Sequence, residues 1–483
     1  MKSKSGIRKN LGYQTIYQVL NTCLPLITAP YLARVLGATQ QGIYSYTASI
    51  VAYFVLFAKL GTANYGTRSI ADKRDNVEER SKVFWEIFFL ELLLSVFTML
   101  LYFLYVIAIC RDNKLIALIQ CFELVACMVN INWLFFGLEK FKITTTRSII
   151  IRILTVIMIL LFVKDSNDLW IYALIMTLSN VLNMCVLWYY VPKFILKMKI
   201  DMFGIWRHFK PNLMLFIPLL AMSVYHIMDK TMLGLLSNYT ESGYYYNADK
   251  IVNIPVGLID GISTVMLPRM SYLIGVNQTK EADSLFKNSL ELTVLAGTAM
   301  SFGIAAIANE FEPIFFGPGF DACIMLTIVL APVLIIKSFS FTIRYQYLIP
   351  RHEEKDYTIS VVAGAITNFL ANLALIPNLG ALGAVLGTLM AEFVACVLQF
   401  ISLNKYIKMG HTLMNCLVYV FFGVVMFGVV RLVATISMSI VFKLFIEIIL
   451  GAISFIILCL IYWKSTNSKM KDIIINASRR KLD

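Results

Sequence analysis

The residues able to do chemistry in this sequence are charged and amide side chains set inside long apolar runs. Asp260 and Glu392 lie deepest, followed by the adjacent Asp229 and Lys230 and then Glu123. A charge held at the centre of a bilayer costs about 2.5–3.5 kcal/mol on insertion scales, so each needs a cavity, a partner or a reach to water. Carboxylates in such places suit the binding of a small cation. Asp229, Asp260, Glu392 and Glu123 are therefore the carboxylates to follow.

Two polar stripes accompany them. Asp249, Asn253, Asp260 and Thr264 recur at offsets of 4, 7 and 4, which keeps them on one helical face. Gln14, Gln18, Asn21 and Thr28 do the same near the N-terminus, beside Pro25 and Pro30, and two prolines in one run predict a bend. The stripes read either as the lining of a polar cavity or as interhelical hydrogen bonding. Lys59, Arg152 and Lys337 lie near one membrane interface and Arg34, Arg431 and Lys443 near the other, within reach of snorkelling. For Lys59 and Arg152 a cavity-facing position stands equally open. Asp229 has Lys230 and Lys250 as available ion-pair partners.

What must position these residues is a set of membrane helices. The chain has 483 residues, 59% hydrophobic and 15% charged, too apolar for a water-soluble protein. Apolar stretches run over 11–36, 43–63, 83–109, 115–137, 143–163, 169–191, 212–236, 244–270, 289–308, 322–341, 357–377, 381–403, 412–434 and 441–463. Most are long enough for a helix to cross about 30 Å of hydrocarbon. Of the 42 Lys and Arg residues, only Arg34, Arg111, Lys114 and Lys164 sit in or beside one alternate set of loops. Most of the rest crowd the termini and the other loops, with a few inside the spans, so both termini are expected on the cytoplasmic side. The net charge of +13 then belongs to loops facing anionic lipid, and no nucleic-acid partner is expected. The basic start reads as a retained helix rather than a cleaved leader.

The nine cysteines are scattered, without a C-x-x-C pair, and His208, His352 and His411 fall in loops, leaving His226 alone in a span. No metal or disulfide framework is expected. Phosphate-loop, nucleophile-elbow and H-E-x-x-H patterns are missing, and the loops are too small to carry a membrane enzyme's reactive groups. No catalytic residue and no cofactor are expected. The segment 193–210 interleaves aromatic and basic residues and reads as a helix lying in the inner interface.

An internal repeat adds organisation. At an offset of 201 residues, Gly42-Ile43-Tyr44 recurs as Gly243-Tyr244-Tyr245, Ile50 as Ile251 and Arg68 as Arg269. That offset covers six spans, an even number, so the copies share one orientation. The expected fold is an all-α polytopic membrane protein of about 14 transmembrane helices. It has two six-helix pseudo-symmetric lobes, 1–200 and 201–408, enclosing a central cavity. A C-terminal helix pair and tail, 409–483, are appended.

Several stretches resemble one transporter family in order along the chain. They are Pro30-Tyr31-Leu32-Ala33-Arg34-Val35-Leu36-Gly37 with Gly42-Ile43-Tyr44-Ser45-Tyr46; Tyr65-Gly66-Thr67-Arg68-Ser69-Ile70-Ala71; and Phe136-Gly137-Leu138-Glu139-Lys140-Phe141. In the second half come Phe209-Lys210-Pro211, Met228-Asp229-Lys230-Thr231-Met232-Leu233-Gly234, Gly243-Tyr244-Tyr245-Tyr246-Asn247-Ala248, and the run from Asn368 to Ala384. Over residues 1–405 the chain resembles the Wzx-type flippases of the multidrug/oligosaccharidyl-lipid/polysaccharide exporters, with a fold of the MATE and MurJ kind.

The resemblance implies a transporter rather than an enzyme. It would move an undecaprenyl-diphosphate-linked oligosaccharide across the bacterial cytoplasmic membrane by alternating access, for surface polysaccharide biosynthesis. Its partners would be that lipid, the bilayer and other glycan-assembly proteins, and it would act as a monomer. The alternatives are a lipid II flippase and a MATE-like, cation-coupled drug exporter. On this reading Asp229, Asp260, Glu392 and Glu123 are the candidates for coupling transport to H⁺ or Na⁺, and Lys59, Arg152, Lys230 and Lys337 are the candidates for phosphate. Gln14, Gln18, Asn21, Asn130, Asn253 and Asn372 are the candidates for sugar.

Overall fold

The structure is a computed structural model that describes residues 4–198 and 202–466. Side chains are described from Leu24 onward, apart from 202–203, 217–219, 221–222 and 224–226. Among the described residues every regular element is a helix. The chain divides into two compact units, Met1–Gly243 and Tyr244–Asp483.

The first unit contains α1 (Lys4–Lys59), α2 (Thr62–Asp72), α3 (Val77–Ala108), α4 (Lys114–Met128) and α5 (Asn132–Gly137). It continues with α6 (Phe141–Phe162), α7 (Leu169–Trp188), α8 (Met202–Trp206) and α9 (Phe209–Leu236). Then α10 (Tyr239–Gly275) leads into the second unit. There follow α11 (Thr279–Phe315), α12 (Asp321–Leu330), α13 (Val333–Ile343), α14 (Glu354–Leu379), α15 (Ala381–Asn404), α16 (Gly410–Val433) and α17 (Ile440–Ser465). Twelve helical stretches among the described residues are long and apolar enough to cross a membrane. The first of them holds two passes, and α9 is 28 residues long, so all fourteen expected passes are helical. The chain is a multi-pass membrane protein.

Local chemistry explains the boundaries. The expected loop after residue 36 shrinks to one residue: Gly37, at φ 71, is the point where α1 leaves helical geometry. A positive φ costs glycine nothing, so the chain turns there without a connecting loop. Pro25 and Pro30 lie upstream, inside the helix. Asn76 caps α3, its side-chain oxygen accepting from the backbone N–H of Glu78 and Glu79 at 3.1 and 3.2 Å, with both acids in the positive first turn. Gly380, at φ 54, separates α14 from α15 and folds them into a hairpin. Gly364, Gly383 and Gly387 let the two backbones approach; a Cβ on Gly383 would stand 2.6 Å from the Leu375 carbonyl carbon.

The 201-residue offset reappears as a contact inside the first unit. A Cβ on Gly42 would fall 1.6 Å from the Tyr239 carbonyl oxygen, and one on Gly243 1.9 Å from the Ala38 carbonyl oxygen. Between them the Thr39 and Thr240 hydroxyls meet at 2.8 Å. Residue 42 meets 239 while 243 meets 38, the reciprocity that a two-fold axis produces.

The segment after α7 departs from the expected interfacial helix. Arg80 Nη2 donates to the Phe194 carbonyl at 2.7 Å, Trp85 Nε1 donates to the Leu196 carbonyl at 2.9 Å, and Leu196 N–H donates to Ser81 Oγ at 2.9 Å. These bonds hold 194–196 as a strap against α3, and helix resumes at α8. Ile195 and Phe194 join the aromatic core built by Phe84, Trp133 and Phe135. In the second unit Phe286, Leu290 and Tyr347 centre another core. Large apolar side chains such as Phe442, Phe445 and Ile461 are exposed along α17, as a lipid-facing helix requires.

Candidate functional site

Each unit carries its own cluster of buried charge. In the first, α1 ends at Lys59, whose half-buried ammonium is felt electrostatically by Glu91 on α3 and Glu123 on α4. Glu91 is 1% exposed. Its carboxylate accepts from Asn130 Nδ2 at 2.8 Å and from Trp133 Nε1 at 3.1 Å. Asn130, a sugar candidate, is thus committed to Glu91. Glu123 accepts from Asn180 Nδ2 on α7 at 2.8 Å. Lys59 is thus the positive charge common to the two carboxylates, on neighbouring helices of one unit.

Arg147, inside the expected span 143–163 but not among the candidates, is buried in α6. It donates to the Asn183 carbonyl, to Asn132 Oδ1 at 3.1 Å and to Ser148 Oγ at 3.2 Å. The candidate Arg152 lies further along α6 and is half-buried. Asp229, 4% exposed, and the half-buried Lys230 sit on α9. Close by on the same helix, Thr231 Oγ1 donates to Ser49 Oγ at 2.8 Å. The side chains of Gln14, Gln18 and Asn21 lie outside the described residues.

The second unit assembles four charges. Lys337 on α13 pairs with Glu392 on α15 at 3.3 Å, and both are buried. Lys337 therefore does not snorkel. Its partner across the helix packing removes the need, because the pair neutralises both charges where water is scarce. Arg344, about two turns beyond, pairs with Asp260 on α10 at 3.6 Å, and Asp260 also feels the Lys337 charge. The Arg344 guanidinium lies over the rings of Tyr345, Phe341 and Tyr357 at 4.1, 4.8 and 5.5 Å. It opens a five-residue π-helix, 344–348, an irregularity that recurs at functional sites. Sequence reasoning missed Arg344 by placing it in a loop; the aromatic residues at 341, 345 and 357 were the available signal.

Asn253 is exposed and donates to Asp249 Oδ1 at 2.5 Å, so that stripe forms an open polar face of α10. Asn372 is fully buried on α14 and donates to Asn368 Oδ1 at 3.2 Å, its own oxygen filling the slot left by Gly387. Asp260 remains 41% exposed at its side chain, against 11% for Arg344. The open carboxylate, the aromatic-backed guanidinium and the Lys337–Glu392 pair suit exchange of an internal ion pair for an anionic ligand or a cation.

Arg431 and Lys443 also depart from snorkelling. Both pair with Glu310, at 3.0 and 3.4 Å, and tie α11, α16 and α17 together.

With this geometry in view, comparison with known proteins places the chain. The family model for polysaccharide biosynthesis proteins matches residues 7–274. A protein of Escherichia coli (strain K12) described as "Putative O-antigen transporter" is 27% identical over 83% of this chain and 98% of its own length. A "Probable low-salt glycan biosynthesis flippase" of Haloferax volcanii is 24% identical over 52% of this chain and 53% of its own length. Among solved structures, the lipid II flippase MurJ in an inward closed conformation superposes with a TM-score of 0.77. It is 16% identical and the match covers 94% of this chain and 99% of that one. An inward-facing MATE family multidrug transporter gives 0.59 at 12% identity, over 80% of this chain and 96% of that one. The fold is of the MurJ and MATE kind.

Proposed function

The chain belongs to the polysaccharide biosynthesis protein family, and from that membership we propose that it is a flippase for a lipid-linked oligosaccharide. The observation that carries this reading is the match over 98% of the E. coli protein's length, which leaves almost none of that protein without a counterpart here. On the reading proposed, the cargo is an oligosaccharide on undecaprenyl diphosphate. It passes from the inner to the outer leaflet of a bacterial cytoplasmic membrane by alternating access, for surface polysaccharide assembly.

The clusters have matching tasks. Each unit offers basic side chains suited to a diphosphate, Lys59 and Arg152 in the first and Arg344 with Lys337 in the second. The sugars meet open amides and carboxylates such as Asn253 and Asp249. Release of Lys337 from Glu392, or of Arg344 from Asp260, frees a carboxylate for H⁺ or Na⁺. One charge crossing the membrane contributes about 2.3 kcal/mol per 100 mV, enough to bias a transport cycle. No bond of the cargo is made or broken, so the protein acts as a carrier. Both termini are assigned to the cytoplasmic side by the lysine and arginine distribution, and the working unit is a monomer.

The test is reconstitution of the full chain in vesicles with lipid-linked oligosaccharide from the same cells. Exposure of the sugar to an impermeant glycosidase is measured with and without an imposed gradient. Gradient-dependent flipping supports the reading. Vesicles that export a cationic drug but leave the oligosaccharide in place would overturn it.

A further inference from the structure

The last two helices hold a group that the transport reading leaves unused. Helices α11, α16 and α17 enclose a groove of about 390 Å³ lined by Gly303, Ile307, Met426, Val430, Phe455 and other apolar residues. A single carboxyl, Glu447 of α17, enters it. Glu447 is 0% exposed, and neither of its oxygens meets a hydrogen-bond donor. The charged groups that face it are Glu310 of α11, in hydrogen-bonding reach, Arg431 of α16, and Lys443 of its own helix. Glu310 is itself 5% exposed and holds both cations, Arg431 Nη1 at 3.0 Å and Lys443 Nζ at 3.4 Å. Arg431 Nη1 also donates to the Ala306 carbonyl at 3.1 Å. Glu312, two residues along α11, is buried and likewise meets no donor at either oxygen, and its electrostatic neighbour is Thr327 of α12 rather than this cluster.

The arrangement is asymmetric in a way that matters. Both cations are spent on Glu310, so an ionised Glu447 would sit in an apolar groove, against a second carboxylate and without a donor. A neutral Glu447 resolves this, since its O–H has the Glu310 carboxylate as acceptor. Two carboxyls sharing one proton form a recurrent device for holding a proton in low dielectric.

We propose that Glu310 and Glu447 form a proton-binding site, with the proton carried on Glu447 while α17 is packed against α11 and α16. Loss of the proton to water breaks the Glu447 O–H bond and leaves two carboxylates in contact. Their repulsion loosens α17, and protonation restores the packing. By the orientation proposed above, the site lies toward the outer face and takes its proton from there. The existence of the site does not depend on the flippase reading; its bearing on transport does.

The experiment is an infrared titration of the reconstituted full chain from about pH 5 to about pH 9, the range in which buried glutamates titrate. It follows the carbonyl band of protonated carboxyl groups. The wild type is expected to lose one such component with rising pH, and E447Q and E447L to lack it. Spectra of both variants that superpose on the wild type at every pH would overturn the proposal. In parallel, oligosaccharide flipping is followed while the outer pH is varied. A wild type whose rate changes several-fold over that range, beside an E447Q protein whose rate is flat, supports coupling. If no preparation flips oligosaccharide while the band still titrates, the site stands and the flippase reading falls. If flipping proceeds and the band does not titrate, the site falls and the flippase reading stands.

Discussion

Glu91 in the first unit and Glu447 in the second are both buried glutamates on long apolar helices, and their surroundings are opposite. Glu91 accepts from Asn130 and Trp133 and has the Lys59 charge nearby. Glu447 meets no donor at either oxygen, although two cations stand within its cluster. The difference lies in who serves whom. Around Glu91 the donors converge on the carboxylate; around Glu447 they have been taken by Glu310. A served carboxylate fixes the packing of its neighbours, whereas an unserved one is poised to change its protonation state.

The comparison breaks most decisively at Glu91. Glu91→Leu orphans a buried amide and a buried indole N–H at about 1–3 kcal/mol each, so a loss of about 4 kcal/mol is expected. Thermal unfolding in detergent measures it. A variant as stable as the wild type would show that Glu91 is not what holds α3 to the α4–α5 junction. Next comes a served carboxylate in the second unit. Glu291 accepts from Asn415 Nδ2 at 2.9 Å, while Asn415 Oδ1 accepts from the Tyr462 hydroxyl at 2.8 Å. Asn415→Leu therefore strips two groups of a partner and is expected to cost about 2 kcal/mol by the same measurement.

Glu447→Leu sharpens the contrast because the expected effect is within about 1 kcal/mol of zero, with stabilisation allowed, since the Glu310 carboxylate that loses the Glu447 O–H keeps both Arg431 and Lys443. Were Glu447 instead an ionised partner of Arg431 and Lys443, its loss would cost about 3–5 kcal/mol. The two outcomes are far enough apart for a melting curve to separate them.

The residue pattern made the helices legible and left their pairing hidden. Apolar length and charge alternation located fourteen passes, because both are local consequences of crossing hydrocarbon. Lys337 and Glu392 were each recognisable as charges in a span, yet nothing in either span names the other as its partner, 3.3 Å away. Arg344 looked like a loop charge because the apolar run ends at Phe341, and only the fold stacks it on Tyr345 and Tyr357. Glu310 and Glu447 went unremarked, Glu310 because it falls just beyond the run 289–308, where exposure to water is the ordinary expectation, and Glu447 because the run 441–463 around it is otherwise so apolar. The strap at 194–196 was obscured because aromatic and basic residues in alternation suit an interfacial helix equally well. What separated the two was the presence of Ser81 and Trp85 on α3 as hydrogen-bonding partners.

A last case lies between the extremes, where His208, outside the spans, meets Glu86 near the start of α3. One Glu86 oxygen accepts from Arg207 and faces His208 Nε2 at 2.9 Å, while its other oxygen meets no donor. His208, whose Nδ1 lies 2.7 Å from the Tyr65 hydroxyl, is the group that titrates. Burial drives its pKa below the ordinary histidine value; the Glu86 carboxylate pulls the other way and Arg207 adds to the lowering, with burial the larger effect. The unfolded chain therefore binds a proton at His208 more readily than the folded one. Stability contributed by the neutral imidazole is present in full above the unfolded value, about 6.5. It is lost as pH falls from there through the lowered folded value. The expected result is a melting temperature that declines on acidification in the wild type and declines less in His208→Gln, which cannot take up the proton. A rise in wild-type stability over the same interval would mean that Glu86 outweighs burial, and would move this carboxylate to the fully served side of the comparison.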